Sequence, residues 1–190
     1  MRLSRRRLMA IGGGALVSAI ASGLRTQAIA APALVGLKRL NVRRLSFNCT
    51  NAGEELSSVD YWIEGTYVPE ALAEINWALR DYRTGDVHPI APPLLDLLYQ
   101  LGRALDTDCS FELTSGYRSP RTNAALHELD SGVAINSLHM KGQAADITLP
   151  GRPLAEVYKT ALAMGLGGVG YYPHDNFLHV DIGRVRRWEG

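Results

Sequence analysis

Cysteine is nearly absent: the 190 residues hold two, Cys49 and Cys109. They are too few and too scattered for a cysteine-based metal site. One disulfide is the most they can form. The sequence leaves it open, because spacing along the chain does not fix the separation of two sulfurs. The HExxH helix motif of many zinc enzymes is missing as well. So is any long apolar run; the best candidate, IGGGALVSAIA, is short of the roughly 20 residues that cross a bilayer. No internal repeat or low-complexity tract suggests a solenoid or a disordered tail. Basic charge is also thin once the N-terminus is set aside. Residues 1–30 carry five arginines and no acid, so 15 of the 20 basic residues remain against 19 acidic ones, a net charge of about −4. That balance argues against nucleic acid as a partner, since a generic grip on phosphates needs a basic surface.

What is present begins with the N-terminus itself. MRLSRRRLMA, then an apolar stretch, then AIAAPA with Ala28 and Ala30 as a small-residue cleavage pair, is the layout of a secretory signal. Ser4-Arg5-Arg6-Arg7-Leu8-Met9 resembles the twin-arginine export signal, with Leu8 where phenylalanine is usual. Residues 1–30 are therefore expected to be a twin-arginine signal peptide handled by that export machinery. Residues 31–190 are expected to form one exported domain in the bacterial periplasm. The length suits a single core, 46% hydrophobic and 21% charged residues suit a soluble globular protein, and nothing asks for more than a monomer.

The rest of the chain reads as α+β. Leu45 and Phe47 alternate with polar neighbours in a first strand, Asn51-Ala52-Gly53 is a turn, and Val59 to Val68 supplies a second strand. Leu72, Ile75, Leu79 and Tyr82 share a helical face that opens near Pro69 and runs to Thr84-Gly85. Pro92 and Pro93 open a helix with Leu94, Leu97, Leu98 and Leu101 buried. FELTSGYRS is a strand running into a turn, Pro120 to Leu129 a helix, QAADITLP a strand, and LAEVYKTALAMGLG a helix stopped by glycines. The closing segment alternates, with Phe177, His179 and Asp181 on one face and Leu178, Val180 and Ile182 on the other.

Three residues stand out chemically. Asp146 lies in AADITL, where an unpaired carboxylate would be costly to bury. It needs an arginine, backbone amides or a metal. His179 sits in a strand otherwise made of core residues. His139 precedes Asp146 by seven positions. A lone histidine is more often a surface or core hydrogen-bonder than a ligand. Two histidines and a carboxylate, however, are the ligand set of several catalytic zinc sites.

SGYRSPRTN, SLHMKGQAADI and GVGYYPHDNFLHVDIG, in that order, resemble the M15 family of zinc peptidases, and within it the murein endopeptidase K group. The resemblance covers residues 40–188. It implies a single α+β domain with a central antiparallel sheet, of the kind shared by hedgehog and D-Ala-D-Ala peptidases. It implies Zn2+ held by His139, Asp146 and His179. It places Ser137 as an orienting hydroxyl and Arg118 at the substrate or the tetrahedral oxyanion, unless Arg118 simply neutralises a buried acid. Gly142 and Gln143 would shape the turn between two ligands, and Gly168 and Gly170 would let backbone approach closely. Gln143 and Tyr117 join Ser137 as candidate substrate-binding or supporting residues.

One departure affects the chemistry. Many M15 members carry the general base just before the last ligand, where this chain has Asn176 and Phe177, neither able to take a proton. Asp181 and His174 are the candidates instead; Asp181 could equally be an acid that holds a ligand imidazole. Arg184, Arg186, Arg187 and Trp188 read as a basic tail, meeting an anionic wall polymer or simply solvated. The implied activity is hydrolysis of peptidoglycan cross-links, D-alanine–diaminopimelate or diaminopimelate–diaminopimelate, on stem peptides during wall growth. The rivals are a D,D- or L,D-carboxypeptidase and a wall-binding module without catalysis.

Overall fold

A computed structural model describes residues 40–130 and 132–190. The export signal read in residues 1–30 lies outside the described residues. The elements are β1 (Val42–Cys49), β2 (Glu54–Ile63), β3 (Thr66–Tyr67), α1 (Pro69–Ala78), α2 (Pro92–Ala104), β4 (Ser110–Ser115), α3 (Pro120–Leu129), a 3-10 turn (Leu138–Lys141), β5 (Ala144–Thr148), α4 (Leu154–Met164), β6 (Gly168–Tyr172), β7 (Phe177–Asp181) and β8 (Arg186–Glu189). Three of the helices open on proline, whose missing N–H costs nothing in a first turn. The last ends on Gly165 in the left-handed conformation, φ 61°. Among the described residues, no helix is long and apolar enough to cross a membrane.

The eight strands form one sheet in the order β3-β2-β1-β4-β5-β7-β6-β8. It is mixed rather than purely antiparallel: β1–β4 and β6–β8 are parallel and the other five pairs antiparallel. The reason is connection length. Between β1 and β4 the chain passes through two helices, a crossover long enough to bring it back in the same direction. β8 reaches past β7 to the outer edge of β6. Leucines 94, 95, 98 and 101 of α2 pack with Leu45, Phe47, Phe111, Ile147, Leu178 and Val180 into one core. In β7 the expected alternation holds: Leu178 and Val180 are buried, Phe177 and His179 half-buried on the other face. Asp181 shares that second face yet is fully buried.

α1 ends earlier than its sequence pattern suggests. It stops at Ala78, and Tyr82 is exposed. Tertiary hydrogen bonds take over the backbone groups a longer helix would use. The Leu79 carbonyl accepts from Tyr117 N–H at 2.8 Å, and Asp81 N–H donates to Asp86 at 3.0 Å. The buried Asp81 carboxylate accepts from Ser119 N–H at 2.8 Å and Arg83 N–H at 3.0 Å. Burial alone would raise its pKa, but hydrogen bonds from Thr122, Ser119 and Arg83 outweigh this and hold it at about 2. A depressed carboxylate contributes stability above its unfolded pKa of about 3.9 and loses it as pH falls through about 2. Asp81→Asn is therefore expected to cost on the order of 2 kcal/mol at neutral pH and to flatten the stability curve between pH 4 and about 2, measured by urea unfolding at each pH.

Cys49 and Cys109 are both free and buried, so no disulfide forms. Cys49 pairs in register with Leu113, about 10 Å along β4 from its first residue Ser110, and Cys109 lies before that. A disulfide needs Cα atoms within about 7 Å. Burial pushes the Cys49 thiol up to about 11, which leaves it inert in neutral solution.

Candidate metal centre

His139 is set by a tight turn. Ser137 caps the 3-10 turn, its Oγ accepting from His139 N–H at 3.3 Å. Gly142 ends the turn in the left-handed conformation, φ 62°, and a Cβ there would lie 2.2 Å from the Pro89 carbonyl oxygen. This turn folds the seven-residue gap so that His139 faces Asp146 on β5. His179 comes from the neighbouring strand, directly opposite Asp146 in the β5–β7 register.

The three side chains converge. His139 Nε2 lies 3.2 Å and His179 Nδ1 2.9 Å from Asp146 Oδ1, and the two nitrogens are 3.1 Å apart. One donor atom from each residue falls within 4.8 Å of the others. The far nitrogen of each imidazole is already engaged. His139 Nδ1–H donates to the Gly116 carbonyl at 2.7 Å, and His179 Nε2–H donates to Asp181 Oδ2 at 3.1 Å. Those bonds fix the orientation of each ring, with its other nitrogen facing the carboxylate. Two bare nitrogens at 3.1 Å repel unless a cation or a proton lies between them, so the donor set fits a zinc-like ion.

The electrostatics follow from burial and pairing. Burial pushes His139 below its ordinary value. Burial would raise Asp146, but His139 and His179 outweigh it and hold the carboxyl well below the usual range. Burial would lower His179, but hydrogen bonds to Asp146 and Asp181 carry it up to about 9. Arg118 pairs with the buried acid and also borders the cleft. Its Nη2 reaches Asp146 Oδ2 at 3.4 Å and Ser115 Oγ at 3.5 Å, and it lines the cleft beside the histidines. Its buried Nε has no partner among the described residues.

The other expected residues divide. Ser137 lines the cleft. Gln143 serves through its backbone, N–H to Leu138 and carbonyl to Ile182 N–H, as the turn reading implied. Tyr117 stacks on His88 at 4.7 Å and stays out of the lining of the cleft. His174 is exposed in the β6–β7 turn and is likewise not part of that lining. Asp181 stands behind His179, fully buried. Burial would raise its carboxyl, but His179 and Arg186 outweigh it and hold it far below the usual range.

Arg186 and Trp188, read from the sequence as parts of a tail, belong to β8 and face the centre. Arg186 pairs with Asp181, and the Trp188 ring lies 5.2 Å from His179. Gly168 and Gly170 make this possible. A Cβ at Gly168 would sit 2.3 Å from Arg186 Nη1, and one at Gly170 2.6 Å from the Trp188 ring. These glycines thus admit side chains across β6 rather than bringing backbone close. The signal available in the sequence was Gly-x-Gly followed by Arg-x-Trp, two period-two patterns on adjacent strands. The cleft over the centre has a volume of about 730 Å³ and an aromatic wall. Tyr172 stacks on Phe177 at 4.4 Å and accepts from Trp188 Nε1–H at 2.8 Å.

A family model described as peptidoglycan L,D-endopeptidase MepK matches residues 38–188. The chain belongs to the MepK family. It is 40% identical over 185 residues to the peptidoglycan L,D-endopeptidase MepK of Escherichia coli (strain K12), covering 97% of each chain. It is 36% identical over 188 residues to the probable peptidoglycan L,D-endopeptidase MepK of Haemophilus influenzae, covering 98% of this chain and 96% of that one. No solved structure matches. As a MepK-family member the chain is a peptidase, and the histidine–aspartate cluster at the floor of its cleft is the candidate catalytic centre.

Proposed function

We propose that this chain is a zinc-dependent L,D-endopeptidase of peptidoglycan, cleaving the bond between two diaminopimelate residues of cross-linked stem peptides outside the cytoplasm. The observation that carries the proposal is the convergence of His139, Asp146 and His179 on one point at the floor of a cleft. Of the two bonds that the sequence left open, the L,D bond is favoured by the names of the relatives. Export by the twin-arginine route and the hedgehog-type description of the fold rest on the sequence resemblance and on family membership.

A zinc ion held by these three residues would polarise the scissile carbonyl and lower the pKa of a water toward about 7. The chain's own residues set the geometry around it. The Gly116 carbonyl and Asp181 keep the two imidazoles turned to their donor atoms. Arg118 holds a guanidinium beside Asp146, where negative charge develops on the carbonyl oxygen during attack. The wall of Tyr172, Phe177 and Trp188 packs on the methylene chain of a diaminopimelate and keeps water from the reacting bond. Asp181 is an orienting acid in this reading. Both its oxygens are occupied, and its depressed pKa makes it a poor acceptor of a further proton.

The test is a digest of purified L,D-cross-linked muropeptide dimers by the mature chain. Monomers should appear with zinc bound, disappear after chelation and return when zinc is restored. Digestion that survives complete removal of metal overturns the zinc assignment. Wall binding without digestion in either state would support the non-catalytic module. Release of single terminal residues from uncross-linked stems would support the carboxypeptidase.

A further inference from the structure

We infer that Arg186 is a positioning residue of the metal centre, acting through Asp181 on His179, so that the C-terminal strand is a working part of the site. The inference rests on the reading of His139, Asp146 and His179 as metal ligands. It goes beyond that reading in assigning a role to β8.

Asp181 is a carboxylate with no exposed surface, and an ionised carboxylate there needs compensation on both oxygens. Oδ1 accepts from Gly168 N–H at 3.1 Å, Gly183 N–H at 2.8 Å and Arg186 Nη1 at 3.0 Å. Oδ2 accepts from Arg186 Nη2 at 2.7 Å and His179 Nε2 at 3.1 Å. The two backbone amides reach Oδ1 alone. Among the described residues the oxygen that holds the imidazole therefore has one other partner, Arg186. A two-pronged guanidinium also fixes the plane of the carboxylate, which a single donor does not. With that plane fixed, the direction of the bond to His179 Nε2 is fixed, and with it the aim of Nδ1.

The neighbourhood is built around this contact. Gly168 lacks the side chain that would block Arg186 from crossing β6. Trp188, two residues on, faces the same way, with the Arg186 guanidinium 4.8 Å and the His179 ring 5.2 Å from its ring. Arg187, between them, points away and is exposed. The alternation supplies an internal control: neighbouring arginines on one strand, of which one touches the network.

The test measures metal affinity, by competition with a chromogenic chelator, in the full mature chain. Arg186→Gln is expected to weaken Zn2+ binding by 10- to 100-fold, the range found when outer partners of a ligand histidine are removed. It should also perturb the visible spectrum of the Co2+-loaded protein, because the aim of His179 changes. Arg186→Lys keeps the charge without the fork and should fall between that variant and the parent. Arg187→Gln should match the parent. In an Asp181→Asn background, Arg186→Gln should have no further effect, since its route is gone. Parent-like affinity and spectrum in Arg186→Gln overturn the inference, as does an additive loss in the Asp181→Asn background. If Arg186→Gln does not fold, Arg186→Lys decides: an unchanged affinity overturns the inference. A parent chain that binds no zinc overturns the metal reading itself, a result distinct from all of these.

Discussion

Asp146→Asn is expected to yield a protein with the parent's secondary structure that has lost its zinc and about 10³-fold or more of its cross-link cleavage, a barrier increase of about 4 kcal/mol. Asparagine keeps the shape and can still accept a hydrogen bond from Arg118. It cannot supply the anion around which the centre is organised. Asp146 Oδ1 is the atom both imidazoles approach, at 3.2 and 2.9 Å, and Oδ2 is the carboxylate oxygen that Arg118 reaches. Removing the charge leaves two histidines and a buried guanidinium without their common counter-ion, and a cation no longer gains from entering. Metal content by mass spectrometry, circular dichroism and the muropeptide digest together check the outcome. One equivalent of zinc with full activity in this variant removes Asp146 from the ligand set.

Two of the three clustered side chains were legible in the sequence because each breaks a local pattern. Asp146 is a charge in a run of small and apolar residues. His179 occupies a site-facing position in an alternating strand whose other face is core. The helices of residues 92–104 and 120–129 were equally legible, since proline marks their starts and leucine spacing or length their course. β8 was not. Arg-Arg-Trp-Glu offers no apolar face, and its pairing partner β6 contributes glycines where a normal strand would offer side chains to match. Its order comes from pairing with β6 and from a guanidinium and an indole reaching across to β7, for which Gly-x-Gly and Arg-x-Trp were a faint trace in the sequence. The early end of α1 has a similar origin: the Leu79 carbonyl and the Asp81 carboxylate accept hydrogen bonds from the 115–119 turn. That turn carries the Gly116 carbonyl that orients His139, so a helix shortened against its own propensity serves the candidate metal centre.

Gly142→Ala should damage fold and site together, and a second glycine separates the causes. Gly142 has φ 62°, and a Cβ there would meet the Pro89 backbone oxygen at 2.2 Å. Backbone cannot rotate aside as a long side chain can, so the turn or the 89–91 segment must move. Both are tied: the Gly142 carbonyl accepts from Ala91 N–H at 2.9 Å, and Gly142 N–H donates to the His139 carbonyl at 3.2 Å. Left-handed backbone with a Cβ and forced overpacking together predict a loss of about 3 kcal/mol, or roughly 6–12 °C in Tm for a domain of this size. Gly151 is the comparison. Its φ is 78°, but nothing lies within 4 Å of a Cβ there. Gly151→Ala therefore carries the conformational cost alone, about 1–2 kcal/mol. It should leave zinc affinity untouched, whereas Gly142→Ala moves the residue that sets His139 and should weaken it. Equal Tm losses in the two variants would show that the Pro89 contact relaxes freely. Unchanged zinc affinity in Gly142→Ala would show that the turn between His139 and Asp146 does not hold His139 in place.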